Sequence, residues 1–296
     1  MTRSLSVATL VAGLALVTTL PASAQITLAR ATVSSGVTNA TGGSLSLRAT
    51  IGLPAVGTVS GGSLSLCQGF WCDAGLPADL ELALTLALQG AYDTGAGDHR
   101  TLLADGGLLP TAQPYASSAY DGTPLAYDGT ETVASVPATA VDWILVELRT
   151  TTAATDSVTA AAALLQEDGT ATLTFPGLSA GSYYVVTRHR NHIPAISASA
   201  VALSGSGGTL DLTAPGAATS GVVEVTSGVW ALWAADGSLD GLVTAPDFNV
   251  YSSASASGAT GYRVEDYTMD GLVTAPDFNL YNANAAAGAA TAVPEN

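Results

Sequence analysis

"LELALTLAL", Leu80 to Leu88, is the stretch on which the fold turns. Leucine, alanine and glutamate are good helix formers, so composition alone reads a helix here. The spacing reads otherwise. Leu80, Leu82, Leu84, Leu86 and Leu88 recur at every second residue, which lines one face of a strand but scatters around a helix. Strict alternation decides for a strand, and its neighbours then fit. "VDWILVELR" (Val141 to Arg149) is a nearly continuous apolar run, as a central sandwich strand needs. "TATLTF" (Thr170 to Phe175) and "SYYVVTRHR" (Ser182 to Arg190) are rich in Thr, Tyr and Val. Turns of Pro, Gly and Asp separate these runs. The expectation is a mainly β protein whose body, residues 78–215, is an antiparallel β-sandwich.

Outward from that body, the amino-terminal side reads in two parts. Residues 1–24 carry Arg3, an apolar run from Val7 to Leu20, and Ala22-Ser23-Ala24 ahead of Gln25, the pattern of a cleaved secretory signal peptide. The run is short for a bilayer and no basic stop follows it, so an anchor fits less well. Residues 25–77 repeat "GGSLSL" at Gly42 to Leu47 and at Gly61 to Leu66. Each copy is a Gly turn followed by alternation, which predicts a small β unit. Cys67 and Cys72 in "CQGFWC" are expected to close a small disulfide loop in an exported chain. A redox or zinc role would ask for C-x-x-C or further ligands.

Composition excludes several partners. The chain of 296 residues has a formal charge of -16, and its eight basic residues are all Arg. Such a surface repels nucleic acid and anionic lipid. No later stretch is long and apolar enough to span a membrane. The acidity suits either a saline habitat or ordinary secretion, and both readings stay open. Residues 93–128 are loop-rich and read either as a binding edge or as a surface excursion.

Beyond the body, Gly, Ser and Thr loosen residues 216–229 into an expected linker. Residues 230–288 then write one motif twice. "DGSLDGLVTAPDFN" (Asp236 to Asn249) returns thirty residues later as "DYTMDGLVTAPDFN" (Asp266 to Asn279). Set on the calcium-loop template, Asp236, Ser238, Asp240, Leu242 (through its carbonyl) and Asp247 stand at positions 1, 3, 5, 7 and 12. Asp266, Thr268, Asp270, Leu272 and Asp277 repeat the set. Alternating oxygen donors suit a hard cation, and Gly241 and Gly271 supply the sharp turn at position 6. Two Ca2+ ions are expected, one per loop. Thr244 and Thr274 can cap a following helix with Asp247 and Asp277 three residues on, and Pro246 and Pro276 fall in its first turn. Phe248 and Tyr251 share one helix face, as do Phe278 and Tyr281. These faces are expected to pack together, with Val243 and Val273 joined as a short bridge. Neither unit offers enough apolar area to fold alone, so metal binding is expected to order this tail while the body barely responds.

A loop followed by a helix, twice, with Asp at position 12 and no entering helix, resembles a dockerin. The resemblance covers roughly Trp230 to Gly288. It implies paired calcium loops, two similar helices, and a protein-binding face near Ala245-Pro246 and Ala275-Pro276. The partner would be a cohesin-type or other protein. Ser238 and Thr268 depart from the Asn or Asp the family usually has at position 3. "TFPGLSAGSYYVV" is similar to the turn-and-strand pattern of transthyretin-like and collagen-adhesin B-type sandwiches. "VDWILVELR" and "RHRNHIPAISA" resemble secreted bacterial hemagglutinin-like proteins, which implies a surface, matrix or adhesive role.

Catalytic signatures are thin, and the chain is read as no enzyme. His189 and His192 in "RHRNH" face opposite sides of an extended strand, so a joint site needs a turn before Pro194. Asp142 and Glu147, at odd separation, belong to opposite faces of theirs. The reading is a secreted or cell-surface, non-catalytic protein with a small β unit (residues 25–77), a β-sandwich body (78–215) and a calcium-binding dockerin-like tail (230–288, then 289–296). The alternative is a carbohydrate-binding or polysaccharide-degrading component of an extracellular assembly, with a glycan as partner.

Overall fold

The computed structural model describes residues 79–115, 127 and 129–294, together with the backbone of four strands before residue 69. The expected signal peptide lies outside the described residues, as do Cys72, the side chain of Cys67 and residues 116–126 and 128 of the 93–128 excursion. The chain divides into two compact units, Met1–Leu76 and Pro77–Asn296.

In the first unit, β1 (Val37–Gly42), β2 (Leu45–Thr50), β3 (Gly57–Gly61) and β4 (Leu64–Gln68) form one sheet in that order. Its pairs are antiparallel, with Gly42 opposite Leu45 and Gly61 opposite Leu64. Two residues between paired positions make the register of a tight hairpin. Each "GGSLSL" copy therefore spans the end of one strand and the start of the next.

The second unit is mainly β, with two principal sheets around one core. β5 (Leu80–Thr85) lies at the centre of a three-stranded sheet. On one side it pairs antiparallel with β10 (Thr170–Phe175), on the other parallel with β14 (Gly208–Asp211). Its alternating leucines are buried and the residues between them face outward or are half-buried, so the period-two reading holds. Each leucine kept from water contributes about 1.5–3 kcal/mol. Leu86 and Leu88 carry the pattern on: the Leu86 N–H donates to Gly169, and Leu88 bridges to Leu232. The parallel β14 pairing is a departure from an all-antiparallel body.

The other sheet runs in the order β12 (His192–Ile196), β11 (Gly181–His189), β8 (Ala140–Arg149), β9 (Ser157–Gln166), with β13 (Val201–Leu203) beside the start of β11. All ten residues of β8 are buried, as a strand covered on both faces must be. Trp143, Leu145 and Leu148 join Leu82 and Leu84 in the shared core. A two-stranded ribbon, β6 (Tyr92–Asp93) with β7 (Asp98–His99), and the short α1 (Leu102–Asp105) fill one side.

The carboxy-terminal third belongs to the same unit. The stretch expected as a linker, 216–229, carries β15 (Val222–Thr226) and opens β16 (Val229–Leu232), which pair as a hairpin. Two helices follow, α2 (Ala245–Ala256) and α3 (Ala275–Ala287). Hydrogen bonds tie them and their loops to the body: Gln89 with Asn284 at 3.1 Å, and Thr291 Oγ1 to the Pro194 carbonyl at 2.7 Å. Where Gly90 meets the tail, a Cβ would lie 2.0 Å from the Tyr267 carbonyl oxygen, so only glycine allows the approach.

Candidate metal centre

The two acidic loops are built alike by their backbones. Gly241 (φ 77°) and Gly271 (φ 82°) take the left-handed turn at position 6. Two residues earlier, Leu239 (φ 60°) and Met269 (φ 59°) adopt the same region without glycine's freedom. Such residues cost about 1–2 kcal/mol each. Both copies accept that strain at the same position, which marks the loop shape as imposed by its surroundings.

What imposes it is a ring of N–H donors around carboxylates. Asp236, at position 1, accepts from the N–H of Asp240 at 3.1 Å and of Gly241 at 3.0 Å. Asp247, at position 12, accepts from Ser238 N at 2.9 Å through one oxygen and from Thr244 N at 2.7 Å through the other. One side chain thus closes the loop and supplies the returning half of a capping box for α2. Pro246 sits in the first turn as expected. The second copy repeats each bond. Asp266 accepts from Asp270 N (3.0 Å) and Gly271 N (2.8 Å), and Asp277 accepts from Thr268 N and Thr274 N, both at 2.8 Å.

At the first loop the carboxylates converge. One ligand oxygen from each of Asp236, Asp240 and Asp247 lies within 4.8 Å of the others, with Asp236 and Asp247 buried. Among the described residues, this convergence of three occurs there alone. The Ser238 Oγ, at position 3, is buried and has no hydrogen-bond partner. An orphaned hydroxyl beside three gathered carboxylates is an oxygen-only donor set, which fits a hard cation. Burial and the like charges of Asp247 and Asp240 push the Asp236 carboxyl up to about 8, against the backbone N–H groups that favour its charge. A cation in the loop would reverse that balance.

The second loop is built differently in its side chains. Thr268 Oγ1 donates to Asp277 at 2.8 Å, so the position 3 hydroxyl is already engaged. Burial raises the Asp266 carboxyl to about 6, held down by the Arg190 guanidinium of the body. The carbonyls of Leu242 and Leu272 stand at position 7 on exposed residues.

The loops are joined by a two-fold pattern that the sequence reading missed. Val243 and Val273 do not bridge each other. Val243 N donates to Ala289 and Val273 N to Ala259, each the chain leaving the opposite copy's helix. Leu242 bridges to Ala290 and Leu272 to Thr260 in the same way. The expected aromatic pairing is present: Phe248 lies 6.0 Å from Phe278 and 5.8 Å from Tyr281, and Tyr251 lies 6.0 Å from Phe278, ring centre to ring centre. Phe248, Phe278, Leu242 and Leu272 nonetheless remain exposed, an apolar patch of two matching halves.

The body's polar residues form two buried clusters. The chain turns at Arg190 and Asn191, so His189 faces His192 across a tight hairpin with Nδ1 atoms 2.9 Å apart. The turn that a joint histidine site requires is therefore present. His192 Nε2 accepts from Gly90 N, and burial pushes both imidazoles down, toward the neutral form. His189 Nε2 lies 3.2 Å from Asp142, which also takes Arg190 Nε at 2.8 Å and the Tyr262 hydroxyl at 2.6 Å. Glu147 sits apart from Asp142, with Arg149 at 2.6 Å and Arg188 at 3.2 Å. Both arginine clusters grip the tail through main-chain carbonyls: Arg190 donates to Arg263, and Arg149 to Pro294 at 2.9 Å. The sequence shows Asp142 and Glu147 as carboxylates within an apolar strand and the rest of the hairpin as a polar strand end, "RHRNH", with no sign that the two meet.

No family model matches the chain, and no curated protein does. Solved structures similar to the chain include an N-terminal and a C-terminal interface mutant of a type II cohesin–X–dockerin complex from Acetivibrio cellulolyticus. They are 14% and 13% identical, with TM-scores of 0.34 and 0.35, and each match covers 69% of this chain and 94% of the other. Overlap this loose leaves the loops to be read from their own geometry.

Proposed function

We propose that this is an exported, non-catalytic protein whose tail binds two calcium ions through dockerin-like tandem loops. The observation that carries the reading is the first loop, where three carboxylates gather around an unpartnered Ser238 hydroxyl. The identical backbone bonding of the second loop supports a second ion. In the first site Asp236, Ser238, Asp240, the Leu242 carbonyl and Asp247 would hold the ion; in the second Asp266, Thr268, Asp270, the Leu272 carbonyl and Asp277. The ion supplies positive charge where burial opposes negative charge, and the protein's N–H groups keep the carboxylates aimed. The β body serves as scaffold in a surface, matrix or adhesive setting. The exposed patch at Leu242, Phe248, Leu272 and Phe278 supports docking or self-association with a protein partner. No helix among the described residues is long and apolar enough to cross a membrane.

Calorimetry on the full chain, stripped with chelator and titrated with calcium chloride, tests this. About two ions per chain are expected, as two loops require. No binding, or one ion per intact chain, overturns the reading.

A further inference from the structure

Each loop begins on the same residue of the body. Asn191, fully buried in the turn between β11 and β12, offers its main-chain carbonyl to Asp236 N at 3.1 Å and to Ala235 N at 2.9 Å. Its side-chain Nδ2 donates to the Asp266 carbonyl at 2.7 Å. Asp236 and Asp266 are the first ligand positions of the two loops. One asparagine therefore sets where both loops start, from opposite ends of a single residue.

Two arginines of the body hold the second loop and the chain entering it by the same means. Arg100 donates to the Thr268 carbonyl at 3.1 Å, and Arg190 to that of Arg263. The body takes main-chain carbonyls and leaves the loop's carboxylates free to face inward. Asn191 is itself fixed by its Oδ1, 2.8 Å from His192 Nδ1, so the paired histidines orient the amide. That gives the buried His189–His192 hairpin a part in the tail's geometry.

We propose that Asn191 is a positioning residue for both cation loops, through which filling of the loops is coupled to the stability of the β body. The proposal rests on the calcium reading above. Its physical basis is that a loop whose origin is pinned has its donors arranged before the ion arrives, so less ordering is charged against binding. Because the same residue closes the β11–β12 hairpin, any free energy gained in the loops is shared with the sheet. The body is then part of the metal site, and the tail is not a module that folds independently of it.

The test uses the full chain and two readouts, calcium titration by calorimetry and thermal unfolding with calcium or with chelator. In the wild-type chain, calcium should raise the unfolding midpoint of the β signal as well as the helical one. Asn191→Ala, which removes the donor to Asp266, should weaken calcium binding at one site by roughly tenfold, the worth of one buried hydrogen bond. It should also shrink the rise in midpoint that calcium produces. A residue with a merely structural role would lower both midpoints together and leave that rise unchanged, and this outcome overturns the proposal. Tyr183→Phe, which removes the bond to the Ser179 carbonyl inside the β body and away from the loops, serves as that comparison. Should Asn191→Ala fail to fold, Asn191→Leu keeps the approximate size and the main chain, loses the amide donor and acceptor without adding a charge, and is read in the same way. If the wild-type chain binds no calcium, the reading of the loops falls; if it binds calcium and the variants bind it equally well, only the role of Asn191 falls.

Discussion

The two loop–helix copies share ten consecutive residues, Asp240–Asn249 and Asp270–Asn279, and one backbone plan, yet they are not the same site. In the first, the position 3 hydroxyl of Ser238 is unpartnered and three carboxylate oxygens crowd together. In the second, Thr268 spends its hydroxyl on Asp277, and Arg190 lends positive charge to Asp266. The carboxyl at position 1 follows suit, raised to about 8 in the first copy and about 6 in the second. Identical text gives unequal sites because the difference is written elsewhere, at positions 2 to 4 and in a β-hairpin far back along the chain. The first loop, with a free donor and no neighbouring cation, should bind calcium more tightly than the second.

The largest expected effect reaches that comparison through the body. Asp142 accepts from Arg190 and Tyr262, which lie on the second loop's side. Asp142→Asn should destabilise the chain by about 3–5 kcal/mol, since it leaves Arg190 buried without its carboxylate. It should also disturb the second site more than the first, which calorimetry can read. Burial would raise the Asp142 carboxyl, but Arg190, with the hydrogen bond from Tyr262, outweighs this and holds it at about 2 instead of 3.8. Because the folded value is the lower one, the gain is present above about pH 4 and lost as pH falls through about 2. It amounts to about 2 kcal/mol. Urea unfolding in chelator, run from about pH 6 down to about pH 2, should show wild type losing its lead over the variant across that window.

A smaller effect separates the sites directly. Asp240→Ala should remove the tighter phase of the calcium titration and Asp270→Ala the weaker one, each by about a hundredfold in affinity. If either change removed both phases, the two loops would be one site.

The smallest effect tests the cause of the asymmetry. Ser238→Ala should cost the first loop about 1 kcal/mol of calcium affinity, because a hydroxyl free to serve the ion is lost. Thr268→Ala should cost the second loop less, its hydroxyl being committed to Asp277. Equal losses would remove the explanation offered here for the inequality.

How much of this was legible follows from what each residue answers to. The alternation from Leu80 to Leu88 and the unbroken apolar run of β8 are local patterns imposed by burial, and both appear in the structure as strands. β9 escaped notice because "SVTAAAALLQ" carries a run of alanine that favours helix, and only its pairing with β8 makes it extended. The parallel partnership of β14 with β5 joins segments more than a hundred residues apart and leaves no local trace. In the tail, the loop positions could be read because oxygen donors at fixed spacing are a local requirement. The crossing of each loop onto the other copy's exit strand could not, since both arrangements satisfy the same sequence. Nor could Asn191, whose service to two loops is visible only once the hairpin has brought it there.

The contact between Gln89 and Asn284 spans 195 residues, and it implies an order of events as well as a shape. Strand β5 and the loop after it wait for a partner that arrives near the close of the chain. Contacts of such long range reward the chain only after a large loop has been closed, which slows folding toward the millisecond-to-second regime of β topologies. Until then the strands they secure present unpaired edges. A chain in this state should be vulnerable to proteases for an interval set by α3 finding its seat.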